Sequence, residues 1–182
     1  MLELLIVVAI GMVVTAIAVP SMTTAIANAK LRGSMTSLSG LLQNCRMVAV
    51  KQNRTTTTRF EVRSNGLVGY IKKATESELT NLDYQVEMEA PIEKQITPAG
   101  SGAPPGITSA VLGFMAASGD VMVSFNSRGL PCLYDSGNCP TSGFVQYFKD
   151  TRIAGNGGFA AISVSPAGRI KRWFWNGAAW TD

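Results

Sequence analysis

A basic and aromatic segment near the end of the chain holds the side chains best suited to binding chemistry. It reads Arg169-Ile170-Lys171-Arg172-Trp173-Phe174-Trp175. On a strand, alternate side chains point to opposite faces, which places Arg169 and Lys171 on the face of Trp173 and Trp175, and Arg172 on the other. Cations neutralise phosphates and indoles stack on unpaired bases, so the first face suits nucleic acid. Alternatively, the charges protect an edge strand from aggregation while the rings pack on the core.

The composition weighs against an ordinary enzyme. The sequence contains no histidine, the side chain most used for proton transfer near neutral pH and the commonest metal ligand. The run Gly155-Asn156-Gly157-Gly158 lacks the lysine and hydroxyl residue of a phosphate-binding loop, which favours a turn. The net charge of +4 permits an acidic partner such as nucleic acid or anionic lipid. We predict that the protein is not an enzyme and binds neither a metal nor a cofactor.

Three cysteines are present. Cys132 and Cys139 enclose a short polar segment between Pro131 and Pro140, which favours a disulfide-closed loop. Such a bond implies an oxidising compartment such as the periplasm or the cell surface. Cys45 has apolar neighbours on a helical stretch and is predicted to be a buried free thiol.

An uncharged apolar run at residues 4–19 follows Glu3, and the next charged residue is Lys30. Sixteen helical residues reach about 24 Å, and the uncharged continuation can complete a hydrocarbon core of about 30 Å, which predicts a single membrane-spanning helix. A carboxylate at the head of this run costs free energy in lipid unless it stays near the interface or meets a cation. Glu3 therefore either complements the helix N-terminus in the headgroup layer or makes a functional charge contact.

The second half of the same helix has one apolar face. Pro20 removes a backbone hydrogen bond and is expected to bend the helix. Beyond it, apolar residues recur at alternating spacings of four and three and form one stripe, which consists of Leu31, Met35, Leu38, Leu42, Cys45 and Ala49. This pattern predicts a hydrophobic membrane or filament-core helix at 1–29 and a head at 30–182. The head would combine the amphipathic half-helix 30–53 with a β-rich domain at 54–182.

Alternating β-rich segments separated by turn residues follow residue 53, which predicts an antiparallel sheet or β-sandwich and an α+β fold. The predicted strands are Thr57–Arg63, Leu67–Lys73, Tyr84–Glu89, Val121–Asn126, Phe144–Lys149, Phe159–Ser165 and Arg169–Trp175. Asn65-Gly66 predicts a hairpin, and Pro166-Ala167-Gly168 predicts the turn before the last of these strands.

The first ten residues, together with Pro20, resemble the start of the type IV pilin and type II secretion pseudopilin superfamily. Met1-Leu2-Glu3-Leu4-Leu5-Ile6-Val7-Val8-Ala9-Ile10 matches the family motif from its third position. The resemblance implies a structural filament subunit that resides in the bacterial inner membrane before assembly and in a periplasmic or surface filament afterwards. It also implies that Glu3 pairs with the methylated N-terminal amine of a neighbouring subunit, and that Pro20 is the family's helix-bending proline.

The head resembles the GspH/FimT-type minor pilins and pseudopilins. Val123–Gly129 is similar to a family strand with its turn, and Ser163–Arg172 to the terminal hairpin. This resemblance implies a position at or near the filament tip. The alternative it offers is a DNA-binding minor pilin acting in DNA uptake, through a G-R-x-R motif. Gly168 and Arg169 match that motif, whereas Lys171 replaces the second arginine, so the candidate DNA-binding residues are Arg169, Lys171, Arg172 and Trp173.

Overall fold

Helix α1 spans Leu2–Gln52 and accounts for all of the helix in the described part of the chain. The computed structural model describes residues 2–72, 84–89, 91–99, 103–107, 114–116, 121–132, 141–153, 155 and 157–182; side chains at 2, 17–21, 114–116 and 121–122 are left out. At 1.5 Å per residue α1 is about 75 Å long. It continues through Pro20, although a proline has no N–H to donate to the carbonyl of Ala16.

The end of α1 is fixed by a cap of the left-handed type. Asn53 has a positive φ of 49°, a conformation that asparagine tolerates better than most residues. The Asn53 N–H donates to the carbonyl of Val50 at 3.2 Å, and the Arg54 N–H donates to the carbonyl of Ala49 at 3.1 Å. These two bonds satisfy carbonyls that the helix leaves unpaired, and they turn the chain into the first strand.

The two halves of α1 lie in different surroundings. The side chains described at 3–16 are exposed, and from Ala27 onward one side of the helix is buried against the head. The predicted apolar stripe is confirmed, because all six of its residues are buried; Ala27 and Leu41 extend it. Lys30 also ties the helix to the head, with its Nζ 2.6 Å from Oε2 of Glu89.

Eleven strands follow α1 within the described ranges. They are β1 Thr56–Arg63, β2 Gly66–Lys72, β3 Gln85–Glu89, β4 Ile92–Gln95, β5 Phe114–Ala116, β6 Val121–Phe125, β7 Pro131–Cys132, β8 Gly143–Asp150, β9 Phe159–Val164, β10 Ile170–Trp175 and β11 Trp180–Thr181. The first sheet has the order β3-β2-β1-β6-β7. The second has the order β11-β10-β9-β8-β4, and β5 also pairs with β8.

The predicted α+β class is confirmed, and all seven predicted strands are present with their described ends within one residue. Every strand pair is antiparallel except β5 with β8, which is parallel. The first hairpin turn lies one residue earlier than predicted, because Gly66 already pairs with Arg63 and the loop is Ser64-Asn65. The predicted turn before β10 is confirmed by a bond from the Gly168 N–H to the carbonyl of Ser165 at 2.7 Å.

The core lies between α1 and the inner faces of both sheets. Met35, Leu38 and Leu42 from the helix are fully buried there. Phe60 of β1 and Phe148 of β8 bring the two sheets together, with ring centroids 5.7 Å apart in an edge-to-face arrangement. Full burial of an aliphatic or aromatic side chain contributes about 1.5–3 kcal/mol, so this helix face holds the sheets in place.

The second sheet is covered on its outer face as well. Val145, Tyr147 and Ala161 form a small outer cluster, which Ile107, Trp173 and Trp180 partly cover. Both faces of β8 and β9 are therefore buried. The sequence of β9 is almost continuously apolar, whereas β8 also contains the buried polar residues Gln146 and Asp150.

Candidate functional site

The first candidate site is the amino-terminal part of α1. Leu4 and Leu5 are 72% and 70% exposed, and large apolar side chains remain exposed through Val14 and again at Met22 and Ile26. Glu3 is exposed in the first turn and makes no ion pair with any described residue. A contiguous apolar surface of this kind marks a site of contact with protein or membrane.

Within the described side chains, which stop at 16 and resume at 22, no stretch of helix is both long and apolar enough to cross a membrane. Among the described residues there is likewise no group of three or more carboxylates and cysteines placed to hold a metal ion.

The second candidate site, strand β10, separates the predicted DNA-binding residues. Lys171 and Trp173 lie on the outer face of the second sheet, where the Lys171 Nζ is 4.9 Å from the centroid of the Trp173 ring. Arg172 lies on the opposite face, and its Nη1 donates to the Thr36 hydroxyl of α1 at 2.8 Å. The predicted alternation of faces is confirmed, so Arg172 does not join the surface that Lys171 and Trp173 share.

The outer face is already engaged within the molecule. The Lys171 Nζ lies 2.6 Å from Oδ2 of Asp182, and this hydrogen bond lowers the pKa of the Asp182 carboxyl. The Trp173 indole donates to the Ser163 hydroxyl at 2.8 Å. The Trp180 indole donates to the carbonyl of Pro105 at 2.8 Å. A base that stacked on these rings would therefore compete with contacts inside the head.

Arg46 of α1 contacts two turns that each contain a glycine, Gly129 in one and Gly168 in the other, and Arg169 follows Gly168. The Arg46 Nη1 donates to the carbonyl of Gly168 at 3.3 Å. Gly129 and Gly168 have φ of 75° and 82°, and a Cβ at either would come within 3.3 Å of Arg46 atoms. The Arg46 side chain thus brings together the turns that carry Arg128 and Arg169, and none of these three arginines makes an ion pair with a described residue.

A groove between α1 and β10 forms the third site. Its volume is about 320 Å³, and its lining consists of Arg32, Thr36, Arg172, Phe174, Thr181 and Asp182. The Arg32 guanidinium carbon lies 4.8 Å from the centroid of the Phe174 ring, a cation–π contact. Sequence reasoning missed Arg32 and Arg46, because each meets its partners only through tertiary packing.

The cysteines follow the prediction where the structure describes them. Cys45 is free and buried, and burial raises the pKa of its thiol to about 12. Cys132 is buried on β7 and is disulfide-bonded. Its predicted partner Cys139 lies outside the described residues, so the pairing of these two cysteines stays a prediction.

Comparisons with known proteins give likenesses of fold. No protein-family profile and no curated protein matches the sequence. The chain is similar in structure to the type IV minor pilin FimU of Pseudomonas aeruginosa, with a TM-score of 0.44 and 18% identity over 85% of this chain and 95% of that chain. It is also similar to the minor pseudopilin EpsH from the type 2 secretion system of Vibrio cholerae, with a TM-score of 0.46 and 11% identity over 80% of this chain and 97% of that chain. Both proteins belong to the superfamily that the N-terminal residues resemble, and the likeness concerns the fold alone.

Proposed function

We propose that the chain is a structural subunit, a minor pilin or pseudopilin, of a type IV pilus or a type II secretion pseudopilus. One observation carries the proposal: α1 extends far beyond the head and exposes large apolar side chains from Leu4 to Val14. Such a surface needs a partner that removes it from water. Helices of neighbouring subunits would supply that partner in a filament, and the inner membrane would supply it before assembly.

The sequence resemblance supplies the finer parts of the proposal. Glu3 would pair with the methylated N-terminal amine of a neighbour, because a carboxylate buried among apolar helices requires a counter-charge. Pro20 would let the helix adjust between membrane and filament, since one backbone hydrogen bond is already missing there. The head would lie in the periplasm or at the cell surface, at or near the filament tip.

The contact of Glu3 can be tested by substitution. We expect Glu3→Ala to block entry into filaments and to leave the head folded, because the head makes no described contact with Glu3. Glu3→Gln is the matched variant, which keeps the size of the side chain and removes only its charge. The measurement is the amount of each variant in sheared filaments from the native host. Normal incorporation of both variants would reject the charge contact.

A second candidate function, DNA binding in DNA uptake, is favoured by the three arginines at the glycine turns. Arg46, Arg128 and Arg169 make no ion pair with a described residue, and guanidinium groups outside ion pairs attract phosphates. Lys171 contributes less to this candidate because Asp182 neutralises it.

Duplex DNA titrated at low salt tests the second function. We expect Arg169→Gln to weaken binding several-fold and Lys171→Gln to change it little. The salt dependence should be modest, since each neutralised phosphate adds a slope of about −0.9 to log affinity against log salt. Absence of binding by the unmodified protein would leave the arginines with a structural role alone.

A further inference from the structure

The groove between α1 and β10 presents hydrogen-bond donors that the head itself does not use. An arginine has five N–H donors. Arg172 donates one of them to the Thr36 hydroxyl, and Arg32 lies against the Phe174 ring with no hydrogen bond from its side chain to a described residue. The one carboxylate in the lining, Asp182, is hydrogen-bonded to Lys171 at 2.6 Å. The groove therefore keeps two positive charges with no bonded counter-ion in the described part of the chain.

We propose that this groove binds a phosphate group. Two guanidinium forks facing one cavity match an anion that can accept from both at once. A single carboxylate would be satisfied by one fork and would leave the other positive charge unmatched. A phosphate has enough oxygens for both arginines, and the cavity of about 320 Å³ has room for it beside the Phe174 ring.

The position of the groove along α1 favours a lipid headgroup as the source of the phosphate. Ile26 is the last large apolar side chain that α1 exposes before the head, and Arg32 follows six residues later, about 9 Å farther along the axis. With the apolar part of α1 in a bilayer, the groove would lie at the level of the headgroups. This source rests on the proposed membrane residence of α1, whereas phosphate binding by the groove does not. A free phosphate ion has the same chemistry and is the other possible source.

The experiment compares two double variants of the full chain in uncharged detergent micelles. Arg32→Gln with Arg172→Gln removes both guanidinium groups of the groove. Lys51→Gln with Arg54→Gln removes the same charge at the far end of α1 and serves as the control. Native mass spectrometry measures how much added phosphatidylglycerol each protein retains, and calorimetry measures the binding of inorganic phosphate. Circular dichroism establishes that both variants stay folded, as expected because Arg32, Arg172 and Lys51 are exposed and Arg54 is only half-buried.

We expect the unmodified chain and the control to retain phosphatidylglycerol. The variant that lacks both Arg32 and Arg172 should bind it on the order of a hundredfold more weakly, which is about tenfold for each guanidinium removed. Binding of inorganic phosphate with no retained lipid supports the groove as a phosphate site and rejects the lipid source. Equal affinities of the two double variants for both probes overturn the proposal. The proposal is also overturned if the unmodified chain binds neither phosphatidylglycerol nor inorganic phosphate. Calorimetry needs neither a filament nor a bilayer, so its failure is distinct from a failure of the proposed function.

Discussion

At the scale of single residues, burial determines the chemistry of Cys45. Its side chain is fully buried between α1 and the head, and the pKa of the thiol is raised to about 12. A neutral, inaccessible thiol reacts poorly, since the thiolate is the nucleophile. We expect iodoacetamide at neutral pH to leave Cys45 unmodified in the native protein.

The same reagent tests the predicted disulfide. If Cys132 and Cys139 are bonded to each other, denaturation without a reductant exposes Cys45 alone, and mass spectrometry should find one modified cysteine. With a reductant it should find all three. Modification of Cys139 in the denatured, unreduced chain would contradict the predicted pairing.

Asp150 supplies a pH-dependent part of the stability. Burial opposes its ionisation, but side-chain hydrogen bonds from Arg152, at 2.7 and 3.0 Å, and the Arg152 backbone N–H hold the pKa of the Asp150 carboxyl below its usual value. The folded state therefore binds this proton less readily than the unfolded chain does. The contribution to the free energy of unfolding is present above the ordinary pKa of about 3.9 and is lost as the pH falls through the folded value.

We therefore expect acid to destabilise the unmodified protein more than an Asp150→Asn variant. The measurement is the thermal midpoint of each protein by circular dichroism between about pH 5 and about pH 2. Apart from Glu89, which senses the charges of Asp150 and Arg152, the other carboxylates are expected to titrate alike in both proteins, so the difference between the two slopes reports mainly Asp150. Parallel slopes would show that Asp150 carries no such contribution.

Sequence reasoning reached part of the candidate site and missed the rest for a physical reason. The two-residue period of a strand was enough to place Lys171 and Arg172 on opposite faces. The tertiary partners of Arg172 and Arg46 could not be predicted from the sequence pattern. The bond from Arg172 to Thr36 joins residues 136 apart, and the bond from Arg46 to Gly168 joins residues 122 apart. Contacts of this kind follow from how α1 lies on the sheets, which no local pattern specifies.

At the scale of elements, the length of a strand decided whether it could be predicted. The seven predicted strands have five to eight residues, enough to display an alternating or continuously apolar pattern. The four that were missed, β4, β5, β7 and β11, have two to four described residues each. Such segments carry no usable period and pair because β8, β6 or β10 already presents an open edge.

Gly40 in α1 and Gly129 in the turn after β6 give a matched test of how the head packs on α1. A Cβ at Gly40 meets nothing within 4 Å, and glycine inside a helix costs about 0.5–1 kcal/mol relative to alanine. At Gly129, φ is 75° and a Cβ would lie 2.9 Å from Cγ2 of Val50 and 3.1 Å from Nε of Arg46.

We expect Gly40→Ala to raise the thermal midpoint of unfolding. We expect Gly129→Ala to lower it, by a loss of about 1 kcal/mol or more, because alanine tolerates neither the positive φ nor the contact. Circular dichroism on both variants gives the answer. A Gly129→Ala protein as stable as the unmodified one would mean that the turn does not pack on Arg46 as described.

At the scale of the whole molecule, the chain combines a head with a closed core and a helix whose first half has no core to join. Residues from Ala27 onward bury their apolar face within the head, whereas Leu4 to Val14 expose theirs. The free energy that exposed apolar surface costs in water, about 25 cal/mol per Å², favours any environment that covers it. We therefore expect the chain to assemble with its partners through α1.

Photo-crosslinking from two exposed valines tests assembly through α1. Val13 lies on the apolar half of α1 and is 61% exposed, whereas Val62 lies on the head and is 83% exposed. A photoreactive phenylalanine analogue is placed at one position or the other, and purified filaments from the native host are irradiated. Abundant crosslinks to other filament subunits from position 13, well above those from position 62, are predicted. No crosslinks from position 13, or equal yields from both positions, would contradict assembly through the amino-terminal half of α1.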